Sequence, residues 1–339
     1  MTERTNRAFH LVKRPRGEVR PDCFELRESA APTLQDGEAL VRVLMLSLDP
    51  TIRGWLNEAD TYMPAVKIGE VVRAGGVGEI VESRSDRYKV GDRVFGMTGW
   101  QEWAIADEGL GAMNVLPPGV EPADALGVFG ITGMTAYFGM LDVAKPQAGD
   151  TVFVSGAAGA TGSVAGQIAK IQGCRVVGTA GTDEKCRWVI DDLGFDDCIN
   201  YKTEDVGARL DEACPKGIDV YFDNVGGEIL ELALARLRQG ARIALCGGIS
   251  GYNEVAPPPG PNNLMNLVLN RARMEGFLVL DYVSRFPEAM VQMGSWLAEG
   301  KVNNRATVVE GLENTVEAFQ KLFEGGNIGK LVVSVADPS

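Results

Sequence analysis

The chain has 339 residues, 45% of them hydrophobic and 23% charged, and at roughly 150 residues per domain this length suggests about two domains. The 33 Lys+Arg against 46 Asp+Glu leave a formal charge of −13 with no local basic patch, which argues against nucleic acid as a partner. No stretch reaches the roughly 18 uninterrupted apolar residues of a membrane helix, and residues 1–10 are polar with no apolar signal region, so a cytoplasmic protein with no membrane partner is expected.

In chain order, residues 9 to about 107 carry short β-type runs broken by Gly and Pro, at 39–46, 69–72, 78–81 and 93–97, the pattern of a many-stranded β domain. Val90-Gly91-Asp92 sets a turn ahead of the run at 93–97. After Pro117-Pro118 the texture changes. Apolar strands at 151–155, 174–179, 218–222 and 241–246 alternate with helical patterns at 160–172, 182–193 and 228–239, which indicates βαβ units on a parallel sheet. Residues 257–261 read as a short stiff loop, and residues 306–335 return to strand, helix, strand.

Six cysteines (Cys23, Cys174, Cys186, Cys198, Cys214, Cys246) stand singly, and His10 is the sole histidine. A zinc site draws three or four ligands from Cys and His, so no metal site is expected. Ser-His-Asp and Cys-His catalysis lack a histidine placed beside a nucleophile. His10 is expected to face solvent, and no disulfide is expected in a reducing compartment.

Directly after the strand at 151–155 comes Gly156-Ala157-Ala158-Gly159-Ala160-Thr161-Gly162, which fits G-x-G-x-x-G with Ala157 in the first glycine's place. Its position between an apolar strand and a helix rich in small residues is the context in which that spacing binds a dinucleotide: Gly159 lets the backbone approach a pyrophosphate, and the helix N-terminus offers free N–H groups. The next strand ends in Thr179-Ala180-Gly181-Thr182, with no carboxylate where NAD-binding folds place one on the ribose hydroxyls. Lys185 follows within one turn, so a ribose phosphate would meet a cation, and NADPH is preferred. Thr182 and Asp183 read as helix-capping residues.

These residues resemble the medium-chain dehydrogenase/reductase superfamily, in its zinc-independent branch of prostaglandin reductases, 2-alkenal double-bond reductases and bacterial curcumin reductase. The matching stretches are Leu46-Ser47-Leu48-Asp49-Pro50, Gly99-Trp100-Gln101-Glu102-Trp103, Thr135-Ala136-Tyr137-Phe138-Gly139, residues 157–177, Asn200-Tyr201-Lys202, residues 221–227, residues 246–253 and Gly326-Asn327-Ile328-Gly329-Lys330. The resemblance implies an α/β architecture: a β-rich GroES-like catalytic domain over residues 1–125, completed by 300–339, and a Rossmann-type doubly wound parallel sheet over 126–299. It implies Gly159, Ala160, Thr161 and Gly162 on the pyrophosphate, with Lys185 and Tyr201 on the ribose phosphate. Asn224, Cys246, Gly247, Ile249, Ser250, Tyr252, Phe277, Leu278, Val279 and Asn327 would line the NADPH. Asn224 and Asn327 lie in Gly-rich turns, where Asn also serves the backbone alone, and residues 277–279 would otherwise pass as buried strand. The chain departs from the family at Thr51-Ile52, where a Tyr-Met pair is usual, and at Ile131-Thr132, where Met-Pro is frequent.

Without a metal or a histidine relay, alcohol oxidation lacks the base or Lewis acid it needs. Conjugate reduction needs only hydride at the β-carbon of an α,β-unsaturated ketone or aldehyde and donors aimed at the developing enolate oxygen. The resemblance implies Tyr252 as the catalytic group and Tyr62 as a second donor, while Trp55, Trp100 and Tyr282 are candidate apolar walls for the substrate. NADPH:quinone reduction and a non-catalytic NADPH-binding protein are the alternatives. A homodimer is expected from the family habit.

Overall fold

The computed structural model describes residues 4–59, 61–109, 112–256 and 258–337. Pro257 of the expected stiff loop therefore lies outside the described residues. By internal contacts the chain divides into two compact units, Met1–Leu126 with Ala306–Ser339, and Gly127–Arg305.

The polar start of the chain is itself a strand. β1 (Thr5–Leu11) pairs antiparallel with β2 (Phe24–Ala30), running from Thr5↔Ala30 to Leu11↔Phe24. Ala8, Phe9 and Leu11 are buried, while His10 is half-buried with its Nδ1 2.8 Å from the Gly69 carbonyl oxygen. β3 (Ala39–Leu48) is apolar almost throughout and buried along most of its length, as a central strand must be. It leads into the one-turn α1 (Ile52–Trp55), then β4 (Gly75–Ser83), β5 (Arg93–Met97), β6 (Trp103–Ala106), β7 (Asn114–Val115) and α2 (Pro122–Leu126). The strand expected at 69–72 does not form. Gly69 has φ +92° and sits in a turn, and only Val71 makes an isolated bridge, to His10.

The second unit starts with α3 (Ile131–Phe138) and then alternates strictly: β8 (Thr151–Val154), α4 (Ala160–Ile171), β9 (Arg175–Ala180), α5 (Asp183–Asp191), β10 (Asp197–Asn200), α6 (Val206–Ala213), β11 (Ile218–Asp223), α7 (Gly227–Leu234) and β12 (Leu237–Leu245). A short α8 (Met265–Leu269), β13 (Arg273–Gly276) and α9 (Phe286–Ala298) complete it. The six strands are parallel in the order β10-β9-β8-β11-β12-β13, the doubly wound arrangement. The helix expected to run to Gln239 stops at Leu234 because Leu237 is drawn into the sheet opposite Ile218, whose N–H bonds the Arg236 carbonyl at 2.8 Å.

The chain then returns with β14 (Ala306–Glu310), α10 (Thr315–Glu324) and β15 (Lys330–Ser334). β15 runs antiparallel to β3, giving the order β14-β15-β3-β4-β5-β7 with β6 also on β3. Leu11, Leu46, Leu48, Ile52, Trp100 and Phe319 pack into the core of this β-rich unit. The molecule is thus an α/β protein with a Rossmann-type sheet in one unit and a β-rich sheet in the other. No helix among the described residues is long and apolar enough to cross a membrane.

Candidate dinucleotide site

The glycine loop leaves the tip of β8 and enters α4 with Gly159 as the N-cap, which has no side chain to satisfy the helix end. The N–H groups of Ala160, Thr161 and Gly162 lie in the first turn, where an α-helix supplies no partner of its own. The turn demands glycine at two points: Gly156 has φ +62°, and a Cβ on Gly162 would stand 2.3 Å from the Gly156 carbonyl oxygen. Ala157, the departure from the pattern, is fully buried with its N–H bonded to the Thr179 carbonyl at 2.8 Å. Its methyl is accommodated by Gly178 on β9, where an added Cβ would lie 2.5 Å from that of Ala157. The missing first glycine is therefore offset by one on the neighbouring strand.

At the tip of β9, Thr182 caps α5 by accepting the Lys185 N–H at 3.2 Å. Asp183 accepts the Asn200 side-chain amide at 2.6 Å, so its carboxylate is engaged by β10. The Lys185 side chain is buried, and its ammonium is held below the ordinary lysine range, first by burial and then by the positive charge of Lys202. Tyr201 is exposed just past β10, and a Cβ on Gly181 would sit 2.8 Å from its hydroxyl and 3.3 Å from Lys202 Cε. Tyr201 and Lys202 thus lie over one backbone turn, and Lys185 follows it in the first turn of α5. Sequence reasoning gave Lys202 no role, although it directly follows Tyr201; a second lysine next to the expected ribose-phosphate ligands was the available signal.

The strand order reverses between β8 and β11, and their tips are joined by Asp223. This fully buried carboxylate accepts on Oδ1 the hydroxyls of Ser155 (2.9 Å) and Tyr221 (2.6 Å) and the N–H groups of Val225 (3.0 Å) and Gly226 (2.9 Å). Its backbone carbonyl accepts Cys246 N–H at 2.9 Å and Gly247 N–H at 3.0 Å, bringing the tip of β12 to the same point. Asn224 donates its side-chain amide to the Ser155 carbonyl at 2.7 Å and its N–H to Ser155 Oγ at 2.9 Å. Ser250 Oγ donates to the Val225 carbonyl at 2.6 Å, and Ile249 N–H to the Asn224 carbonyl at 3.2 Å. Tyr252 follows, half-buried, its hydroxyl oxygen accepting Gly248 N–H at 3.3 Å. Burial and then Asp223 push the Cys246 thiol up to about 12. Phe277 packs on the helix that continues α3: a Cβ on Gly139 would lie 2.3 Å from Phe277 Cζ. Phe277, Leu278 and Val279 lie beyond the end of β13 and are half-buried to exposed, so the reading of 277–279 as plain buried strand does not hold. Tyr282 is half-buried, stacked on Phe138 at 4.6 Å between ring centres.

Asn327, Tyr62, Trp55 and Trp100 belong to the β-rich unit. Asn327 is buried and gives its amide to the Gly329 carbonyl at 2.7 Å. Tyr62 is exposed, and its hydroxyl bonds that of Thr51, one of the positions where the chain departs from its family. Two expected walls are corrected. Trp100 has no exposed surface and is packed among Phe9, Phe24 and Phe319. Trp55 is a member of the same core, nine-tenths buried, with the Arg73 guanidinium over its ring. Neither indole can form an open wall, because each is consumed by packing between chain-distant segments.

Comparison with known proteins agrees with this geometry. Residues 7–115 match the family profile described as the N-terminal domain of oxidoreductase, and residues 160–296 that described as zinc-binding dehydrogenase. Among the described residues no group of His, Cys, Asp and Glu is placed to hold a metal ion. The chain is 42% identical over 337 residues to the NADPH-dependent curcumin reductase of Escherichia coli (strain K12), covering 98% of this chain and 97% of that one. It is 40% identical over 301 residues to a 2-alkenal reductase (NADP(+)-dependent) of Nicotiana tabacum, covering 88% of both. A crystal structure of CurA in complex with NADPH from Vibrio vulnificus superposes with a TM-score of 0.93 at 43% identity, over 98% of this chain and 100% of that one. Fold and site define an oxidoreductase with a Rossmann-type unit. The chain belongs to the zinc-independent branch of the medium-chain dehydrogenase/reductases, with the curcumin, prostaglandin and 2-alkenal reductases.

Proposed function

We propose that this protein uses NADPH to reduce the C=C bond of α,β-unsaturated ketones and aldehydes, without zinc. The observation that carries the cofactor choice is the ribose corner: Asp183, the acidic side chain beside the β9 tip, is engaged by Asn200, while the buried Lys185 stands at the turn. The carboxylate nearest a free ribose diol is already engaged there, and a ribose phosphate would find a cation. The names of the relatives support the reaction class. The residues fit the dinucleotide, since Gly159 caps α4 without a side chain and the first N–H groups of the helix have no partner of the helix's own.

In this reading Gly159, Ala160, Thr161 and Gly162 hold the pyrophosphate, and Lys185 and Tyr201 hold the ribose phosphate. Asn224, Cys246, Gly247, Ile249, Ser250, Tyr252, Phe277, Leu278, Val279 and Asn327 line the remainder. NADPH, when bound, supplies the hydride that the β-carbon of the enone accepts. Tyr252 hydrogen-bonds the oxygen on which enolate charge develops, accepting Gly248 N–H polarises its own O–H toward donation, and the enolate then takes a proton at its α-carbon from Tyr252 or water, which completes the reduction. Tyr62, held by the Thr51 hydroxyl, is a second donor, and Tyr282 an apolar contact for the substrate. The protein works in the cytoplasm as a homodimer. The dimer is supported by the edge strand β13 and the exposed Met265, Val268, Leu269 and Val283 on segments adjoining it in sequence.

The test is the loss of nicotinamide absorbance with NADPH or NADH and a medium-chain enone, a saturated ketone or a quinone. Fast NADPH-selective loss on the enone alone is expected; loss confined to the quinone, or none, refutes the reading.

A further inference from the structure

In the β-rich unit the chain leaves α1 and makes a largely exposed loop, which carries Tyr62, before it returns to the core at the buried Val66. The two arms of this loop meet where Val66 N–H bonds the Trp55 carbonyl at 2.8 Å. A side chain from elsewhere then bridges them. Arg14 is half-buried in the connection from β1 to β2, where the Val12 and Lys13 N–H groups bond the Cys23 carbonyl at 2.8 and 3.2 Å and fix the backbone just ahead of it. Its Nη1 donates to the carbonyls of Leu56 (2.9 Å) and Asn57 (2.7 Å) on the first arm and of Val66 (2.9 Å) on the second. Two further arginines each hold one arm: Arg53 Nη1 donates to Asn57 Oδ1 at 2.6 Å, and Arg73 Nη1 to the Pro64 carbonyl at 2.6 Å. Of the three, Arg14 is the one that binds both arms. Three carbonyl oxygens therefore converge on one guanidinium nitrogen. Their partial negative charges repel one another, and a positive group carrying N–H donors is what permits the convergence. Inside the loop, Thr61 N–H bonds the Met63 carbonyl at 3.1 Å, a local bond that does not reach the arms. The tip is thus placed by its two tethers, Arg14 at the stem and the Thr51 hydroxyl at the hydroxyl of Tyr62.

We infer that Arg14 is a positioning residue for the reaction: by closing the stem of this loop it sets where the Tyr62 hydroxyl stands when it donates to the substrate. This rests on the proposed role of Tyr62 as a second donor. Arg14 itself touches neither substrate nor cofactor. Without its charge the three carbonyls face one another across the stem, the arms separate to admit water, and the phenol loses its aim while the core beneath stays packed. A lysine, with three N–H donors on one charged atom, keeps the carbonyls together and so preserves most of the effect.

The experiment is steady-state reduction of a medium-chain enone by the full chain at saturating NADPH, with NADPH affinity titrated separately. The variants are Arg14→Gln, Arg14→Lys, Tyr62→Phe and each Arg14 change combined with Tyr62→Phe. Tyr62→Phe is expected to lower kcat about tenfold, less than the loss of a principal oxyanion donor. Arg14→Gln is expected to lower kcat at least about threefold in the wild-type background and less than about 1.5-fold in the Tyr62→Phe background, because it acts through that hydroxyl. NADPH affinity stays within about twofold of wild type throughout, and Arg14→Lys keeps at least about half of the wild-type kcat. A residue that only supports the fold would slow both backgrounds by the same factor. That result overturns the inference, as does a wild-type kcat in Arg14→Gln when Tyr62→Phe is slow. Should Arg14→Gln fail to fold, Arg14→Lys decides: a loss beyond about twofold, or one that persists in the Tyr62→Phe background, overturns the role of Arg14. A wild-type kcat in Tyr62→Phe overturns instead the donor role of Tyr62 on which the inference rests.

Discussion

Lys330 is the most deeply buried charge in the β-rich unit, with 1% of its side chain exposed. Its ammonium donates to Asp49 Oδ1 at 2.7 Å and to the Leu48 carbonyl at 2.8 Å. Asp49 keeps 20% of its side chain in solvent and also accepts the Ser47 hydroxyl. Removing one partner of such a pair costs about 3–5 kcal/mol because the other charge stays behind in a poor environment. The asymmetry of the site fixes which removal is worse. In Lys330→Met the stranded group is a carboxylate with a hydroxyl donor and access to water, and the Met side chain fills most of the vacated volume, so about 3 kcal/mol is expected. In Asp49→Asn the stranded group is a fully buried ammonium with only neutral oxygens, so about 5 kcal/mol is expected. The double variant should fall short of the sum by about 2 kcal/mol. Urea unfolding is the assay, with hydrogen exchange of β3 and β15 peptides isolating this unit, since a two-unit chain need not unfold in one step. Equal stability of Lys330→Met and wild type, or a reversed order of the two single variants, would refute the reasoning.

Three further outcomes follow from the site. Tyr252→Phe should lower kcat on an enone about 10²-fold while NADPH binding changes less than about twofold; a wild-type rate would remove Tyr252 from the chemistry. Lys185 sits below the ordinary lysine range through burial and then Lys202. A bound phosphate stabilises its protonated form, so NADPH affinity is full below that lowered pKa and declines as pH rises through it, whereas NADH affinity stays flat; parallel profiles for both nucleotides would contradict this. Gly166→Ala would set a Cβ 1.8 Å from Phe195 Cζ and 2.5 Å from Cε2, and overpacking of a buried ring costs about 1–3 kcal/mol, read as a lowered thermal midpoint that a smaller residue at 195 should recover.

How much of this was legible in the sequence depended on how local the determinants are. The glycine loop, the Thr182 cap and the absence of a carboxylate at 179–182 lie within single segments, and the structure places each on the strand–turn–helix unit its spacing suggested. The accommodation of Ala157 could not be read that way, because it depends on Gly178 of the adjacent strand. The helix through 228–239 failed for the same kind of reason: its apolar period continues, yet Leu237 is captured by parallel pairing with Ile218. Trp100 and Trp55 were plausible pocket walls as aromatic residues near matching motifs. Their fate was decided by Phe24, Phe319 and Arg73, residues from distant parts of the chain.

The same logic explains why the site stands where it does. The connections from β8 and from β11 lead to opposite sides of the sheet, so their tips separate and leave a crevice that neither loop can close alone. A crevice of unpaired loop backbone would be unstable without an acceptor to gather its donors. Asp223 provides one oxygen for two of them, the N–H groups of Val225 and Gly226 in the β11 turn, and the same oxygen binds the β8 tip through the Ser155 hydroxyl. Its other carboxylate oxygen has no hydrogen-bond partner among the described residues, a desolvation cost accepted where it holds two loops in register. The order then passes outward: Asn224 and Val225, fixed by that turn, receive the Ile249 and Ser250 bonds that orient the segment bearing Tyr252. The segment that carries the hydroxyl proposed to meet the substrate is thus held through Asn224 and Val225 by a buried carboxylate.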